Sequence, residues 1–176
     1  MYRTIKYLFI FTVTLVSNVA KAQNNLLNIN PGFELGKKGW YYSSKSPNYI
    51  FIIDDMHEGS QSLKMSSQSG QGVTFIYTNP AEQKLTIEKN KKYRLDVWIK
   101  PLTKGNGVVF RVYPVVGGFR PGTDIEINRP AKLFKQKEWQ LLSFDFAGID
   151  YPAAKCSFGV NLGDYLLDEM KLYEVH

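Results

Sequence analysis

Residues 92–100 read KYRLDVWIK. Tyr93, Leu95, Val97 and Ile99 fall on one parity, and Arg94, Asp96, Trp98 and Lys100 on the other. Successive side chains of a strand point to opposite sides of its sheet, so the stretch predicts a strand with one apolar face turned to a core. Its other face is polar and carries one large ring. The same parity recurs in GVVFRVYPV at 107–115, where Phe110 and Val112 oppose Arg111 and Tyr113. It recurs again in KCSFGVNLG at 155–163, where Cys156, Phe158, Val160 and Leu162 oppose Lys155, Ser157, Gly159 and Asn161.

Working outward, NYIFIID (48–54), SQSLKMS (60–66), GVTFIYT (72–78), QKLTIE (83–88), EWQLLSFDF (138–146) and YLLDEMKLYEV (165–175) give further candidate strands. Turn-forming clusters separate them: SQSGQG, EKNKK, KGNG and GGFRPG. Short strands rich in Tyr, Phe, Val and Ile, with no amphipathic helical period and no internal repeat, predict a single all-β domain, an antiparallel β-sandwich or barrel.

The first residues, MYRTIKYLFIFTVTLVSNVAKAQ, set Arg3 and Lys6 before an apolar run from Tyr7 to Val16, followed by Ala20-Lys21-Ala22. That pattern is a secretory signal peptide over residues 1–22 with cleavage before Gln23, and the run is shorter than a membrane span needs. The domain then occupies residues 23–176, and the expected location is outside the cytoplasm: periplasm, cell surface or medium. The signal takes three of the 22 basic residues and none of the 16 acidic ones, so the formal charge falls from +6 to +3. Such a balance calls for no nucleic-acid partner.

Little in the chain supports nucleophilic or metal-dependent catalysis. There is no G-x-S-x-G or H-E-x-x-H, and the two histidines, His57 and His176, lie in a loop and at the end. Cys156 is the single cysteine, so no internal disulfide forms, and its parity with Phe158 and Val160 predicts a buried thiol. More telling are polar strand faces that combine Tyr, Trp and Arg. A sugar ring needs a flat aromatic for its C–H face and planar hydrogen-bonding groups for its hydroxyls.

The segments LLNINPGFELGKKGW, HEGSQSLKM, QKLTIEKNKKYRLDVWIKP, KEWQLLSFDF and LLDEMKLYEV, in that order and spacing, give the chain its resemblance. It resembles the carbohydrate-binding modules of families four, nine and twenty-two, which have a galactose-binding-domain-like jelly-roll fold. The resemblance implies non-covalent binding of a polysaccharide or oligosaccharide on the concave face. Gln83, Arg111, Asn161 with Ser157, Tyr113, Tyr42 and Trp98 would be the ligand-binding residues. It implies further a structural calcium ion held by Glu34 and Asp168 with backbone carbonyls near Gly32 and Gly59. Asp168 would then be the inward acid of the LLDEMKLYEV strand and Glu169 would face solvent; Met170 stands where the family has a smaller branched residue. The plainer alternative is that Glu34 and Asp168 accept hydrogen bonds from loop amides or pair with a lysine. The aromatics could equally be edge packing, and Arg111 and Gln83 a cross-strand pair.

The stretch GGFRPGTDIEINRPAKLFKQKEW at 117–139 carries Arg120, Arg129, Lys132, Lys135 and Lys137 against three acids. It is expected as a loop that could overhang the cleft and favour an anionic glycan. Modules of the resembled families are commonly appended to glycoside hydrolases, so a hydrolase or a surface glycan-utilisation protein is the expected partner. Two other functions stay open: a polysaccharide lyase or hydrolase using Tyr113 with Arg111, and a protein-binding adhesion domain.

Overall fold

The computed structural model describes residues 24–42 and 49–175; the expected export signal over residues 1–22 lies outside them. In chain order the strands are β1 (Trp40–Tyr42), β2 (Tyr49–Ile52), β3 (Ser62–Ser67), β4 (Val73–Thr78), β5 (Leu85–Ile87), β6 (Lys92–Pro101), β7 (Gly107–Pro114), β8 (Ile125–Pro130), β9 (Gln140–Ala147), β10 (Tyr151–Asn161) and β11 (Gly163–Val175). The first sheet has the order β1-β4-β10-β7-β8, with β5 pairing the early part of β10; the second has the order β2-β3-β11-β6-β9. Every pairing is antiparallel. The last two strands, β10 and β11, are the middle strands of the two sheets.

The sheets face each other as an antiparallel β-sandwich, as the alternating segments predict, with the jelly-roll architecture that the resemblance implies. The KYRLDVWIK parity holds throughout: Tyr93, Leu95, Val97 and Ile99 are all buried. They meet Ile76, Phe110, Val112, Phe158 and Val160 from the first sheet in one core. Phe110 lies 5.6 Å and Phe158 6.0 Å, centroid to centroid, from Phe144 across the interface. Each such side chain removed from water contributes about 1.5–3 kcal/mol, an upper bound before chain entropy is charged against it. Cys156 is part of this core.

Two expectations change. The stretch at 117–139 is less loop than its charge suggested, because Ile125–Pro130 forms the edge strand β8 and a short 3-10 helix follows at Ala131–Leu133. Ile125 and Ile127 pack against the core while Glu126 and Asn128 alternate outward. Glu169, which the resemblance implies would face solvent, does not do so. The β11–β6 register shifts between Asp168 and Lys171, and Glu169 takes φ +46°. This bulge breaks the two-residue period, so that Leu167 and Leu172 both reach the core. The Glu169 carboxylate folds back over Gly32, where a Cβ would lie 2.6 Å from its Oε1.

Candidate functional site

β10 is flanked by β4 and β7, and its register fixes what the first sheet presents outward. Ser157 stands between Tyr77 and Arg111, and Gly159 between Phe75 and Val109. Lys155 is opposite Tyr113. β1 adds Tyr41 opposite Tyr77, and β8 adds Glu126 opposite Arg111. The aromatic rings alternate with small or polar positions in neighbouring strands. They therefore lie down over the sheet rather than standing away from it.

Gly159 shows how. A Cβ there would come within 2.5 Å of the Phe75 ring, so the absence of a side chain leaves the hollow in which that ring rests. Beside it the Arg111 guanidinium is held between two rings, 4.5 Å from the centroid of Phe75 and 4.2 Å from that of Phe119. Its Nε donates to Glu126 Oε2 at 2.6 Å. Phe119 belongs to the turn after β7 and meets Tyr113 edge to face at 5.8 Å. Tyr41 and Tyr77 stack at 4.9 Å with an interplanar angle of 16°. The Lys155 ammonium donates to the Tyr41 hydroxyl and lies 4.7, 5.9 and 6.0 Å from the ring centroids of Tyr41, Tyr77 and Tyr113.

Burial above all, then the neighbouring Tyr41, raises the Tyr113 hydroxyl well above the ordinary phenol range, with Ser157 partly offsetting the rise. Tyr77 is raised by burial and by Tyr41, with Arg111 opposing. Both phenols stay protonated at neutral pH and act as hydrogen-bond donors or acceptors, not bases. Cys156, wholly inside, has its thiol pushed up by burial alone. The face thus offers flat apolar area, a fixed guanidinium, phenol hydroxyls and one ammonium.

Of the sequence-derived ligand residues, the structure brings Arg111, Tyr113 and Ser157 together here, with Asn161 exposed at the far end of β10. Three others lie elsewhere. Tyr42 turns to the core side of β1 and packs against the cluster, since Tyr41 takes the outward position. Gln83 shares the inward parity of Leu85 and Ile87. It is 2 % exposed, both its amide atoms lack a partner, and it lines a pocket of about 300 Å³ at the β5 edge. Trp98 belongs to the second sheet, where it stacks on His57 at 3.6 Å.

Tyr41, Phe75, Tyr77 and Phe119 escaped the sequence reading, while Lys155 was read on the polar face of its strand but not as a ligand residue. In GVTFIYT the bulky aromatics alternate with Thr74, Ile76 and Thr78, and it is the latter three that are buried. Hydrophobicity alone points the wrong way there. The usable signal was the Ser157-x-Gly159 pair, which leaves room for rings from a neighbouring strand.

Of the proposed ion ligands, Asp168 and Glu34 both bind the loop from His57 to Ser60 that precedes β3. Asp168 is fully buried, and its Oδ2 accepts from the amides of His57 at 2.9 Å and Glu58 at 3.1 Å. Its Oδ1 accepts from the Glu169 amide at 2.8 Å. Glu34 accepts from the Ser60 amide at 3.0 Å and from the Ser60 hydroxyl. Gly59 has φ +74°, and a Cβ there would collide with the Glu34 carboxylate. Burial raises the Asp168 carboxyl against the lowering effect of its amide donors. The Ser60 hydroxyl, outweighing burial, lowers that of Glu34. These donors suit a hard cation in kind, although among the described residues no group of three or more His, Cys, Asp or Glu side chains converges.

No protein-family profile matches the chain, and no curated protein matches it. Solved structures do. A family 61 carbohydrate-binding module, TmCBM61, in complex with β-1,4-galactotriose is similar over 86 % of this chain and 99 % of its own, at 19 % identity and a TM-score of 0.57. The CBM22-1 xylan-binding domain of Paenibacillus barcinonensis Xyn10C is similar over 89 % and 97 %, at 18 % identity and a TM-score of 0.59. The Clostridium thermocellum xylanase 10B CBM22-1 and GH10 modules, complexed with xylohexaose, match over 82 % of this chain and 27 % of that one, at 12 % identity and a TM-score of 0.52. At such identities the likeness fixes the fold, that of the carbohydrate-binding modules.

Proposed function

We propose that the protein is an exported, non-catalytic carbohydrate-binding module that takes a polysaccharide or oligosaccharide chain along the outer, concave face of its first sheet. The observation that carries this reading is Arg111, clamped between Phe75 and Phe119 and fixed by Glu126, beside the stacked Tyr41–Tyr77 pair. A rigid strip of rings with directed donors binds a sugar chain with little reorganisation. The structural neighbours that bind xylan or galactotriose support the same class of ligand. One is joined to a GH10 module, which supports a glycoside hydrolase as a partner. Export is supported by the sequence pattern of residues 1–22.

A lyase would ask Tyr113 to give up its proton near neutral pH, and burial acts on that hydroxyl in the opposite sense. Its other expected participant, Arg111, is already paired with Glu126. The binding reading is tested by a glycan array with the purified protein, followed by calorimetry on each hit and an assay for released product. Saturable binding without turnover is expected. Turnover would make the face a catalytic cleft, and no glycan binding would leave protein recognition as the function.

A calcium ion at the Asp168 end belongs to the same proposal. Asp168 is a buried carboxylate, and the adjacent ammonium, Lys171, is paired at 2.6 Å with Glu169 instead. A chelator should lower the melting temperature, and Asp168→Ala should remove that sensitivity. An unchanged melt in chelator would leave Asp168 as an acceptor for loop amides alone.

A further inference from the structure

We infer that the glycan bound on this face carries an anionic group, a uronate carboxylate or a sulfate ester, seated on Lys155; this deepens the carbohydrate-binding proposal and rests on it. Lys155 is half-buried amid Tyr41, Tyr77 and Tyr113, and it makes no ion pair among the described residues. The undescribed segments contain no aspartate or glutamate that could pair with it. The other strand cation of this face, Arg111, has Glu126, and Arg120 in the neighbouring turn has Asp124. Among the described strand cations of this face, Lys155 therefore stands without a carboxylate partner, beside the aromatic strip.

The ammonium sits at the Tyr41 hydroxyl and within 6.0 Å of the centroids of all three rings, inside the range of cation–π attraction. An ammonium has three donors, and the Tyr41 hydroxyl takes one. Two donors remain for a ligand, next to the protonated hydroxyls of Tyr77 and Tyr113. A neutral sugar needs only hydroxyl and amide partners. A sugar lying on the rings would exclude water from Lys155, and an ammonium in that setting favours an anionic partner through charge-assisted hydrogen bonds.

The experiment is calorimetry with matched pairs of oligosaccharides: β-1,4-glucan against β-1,4-glucuronan, xylan against its glucuronate-branched form, and galactan against sulfated galactan. Each pair is measured with the native protein, Lys155→Met and Lys155→Arg, at low and physiological salt. In at least one pair the anionic member should bind about tenfold more tightly. That advantage should shrink with salt, vanish in Lys155→Met and persist in Lys155→Arg. The pair that responds tells carboxylate from sulfate. Neutral members binding as well as anionic ones in every pair would overturn the inference and leave the proposed function standing. No binding to any member would overturn both.

Discussion

The outer faces of the two sheets use charge in opposite ways. On the second sheet three strand cations are matched to carboxylates, Lys64 to Asp164 at 3.1 Å, Lys100 to Asp55 at 2.8 Å and Arg94 to Asp145 at 2.6 Å, while Lys92, at the start of β6, stands exposed to water. Its largest rings cover one another, His57 lying on Trp98 with Trp139 edge-on at 5.9 Å. On the first sheet the rings lie over small residues, and one ammonium has rings where a carboxylate would be. Paired surface charges are screened and worth little, which suits a face turned to water. Rings fixed over backbone are apolar area already held in place, and that suits a face turned to a ligand.

The largest effect is expected where the second sheet departs from its own pattern by burying a charge. Asp168→Ala would leave the amides of His57, Glu58 and Glu169 without their acceptor, at a cost of about 3 kcal/mol in urea unfolding. A loss below about 1 kcal/mol would mean that the loop finds other acceptors.

On the first sheet, Arg111→Ala empties the space between Phe75 and Phe119 and should weaken glycan binding by about 2 kcal/mol, read by calorimetry. Tyr77→Ala removes half of the stacked pair and should cost about 1 kcal/mol of binding. Gly159→Ala adds one methyl beneath Phe75 and should lower glycan affinity by displacing the ring, with little change in the melting temperature. The control is Lys100→Met on the second sheet, expected to leave binding unchanged and stability within about 1 kcal/mol. A binding loss there equal to that of Arg111→Ala would show that the second sheet takes part in glycan binding.

The smallest effect concerns acid. Asp124 is buried, and that burial raises its carboxyl, but hydrogen bonds from Arg120 and Tyr151 outweigh it and leave the carboxyl below its ordinary value. A depressed carboxyl contributes stability that is full above the unfolded-state value and fades as pH falls through the folded-state one. Asp124→Asn should therefore flatten the decline of the urea midpoint below pH about 4. An unaltered acid limb would show that Asp124 has no part in it.

Alternation made the cores of β6, β7 and β10 legible because their inward positions are apolar in sequence. It failed at β4, where threonines face in and aromatics face out, and at β11, where a positive φ at Glu169 resets the parity. The candidate site was half legible. Arg111, Tyr113 and Ser157 shared readable polar faces. Tyr41 and Tyr42 are adjacent, and only the pairing of β1 with β4 decides which of them reaches the face. Phe119 comes from a turn with no period at all.

The central places of β10 and β11 have a consequence in time as well as in space. Until residues 151–175 are present, the pairings that can form are β1 with β4, β2 with β3, β6 with β9 and β7 with β8. Each is a two-stranded ribbon, marginal in water by itself. Closing both sheets then requires contacts between segments far apart in the chain, a topology associated with slow folding. A nascent chain ending before Tyr151 can pair only four ribbons, each with open edges, and residues 151–175 supply the strand that joins them in each sheet.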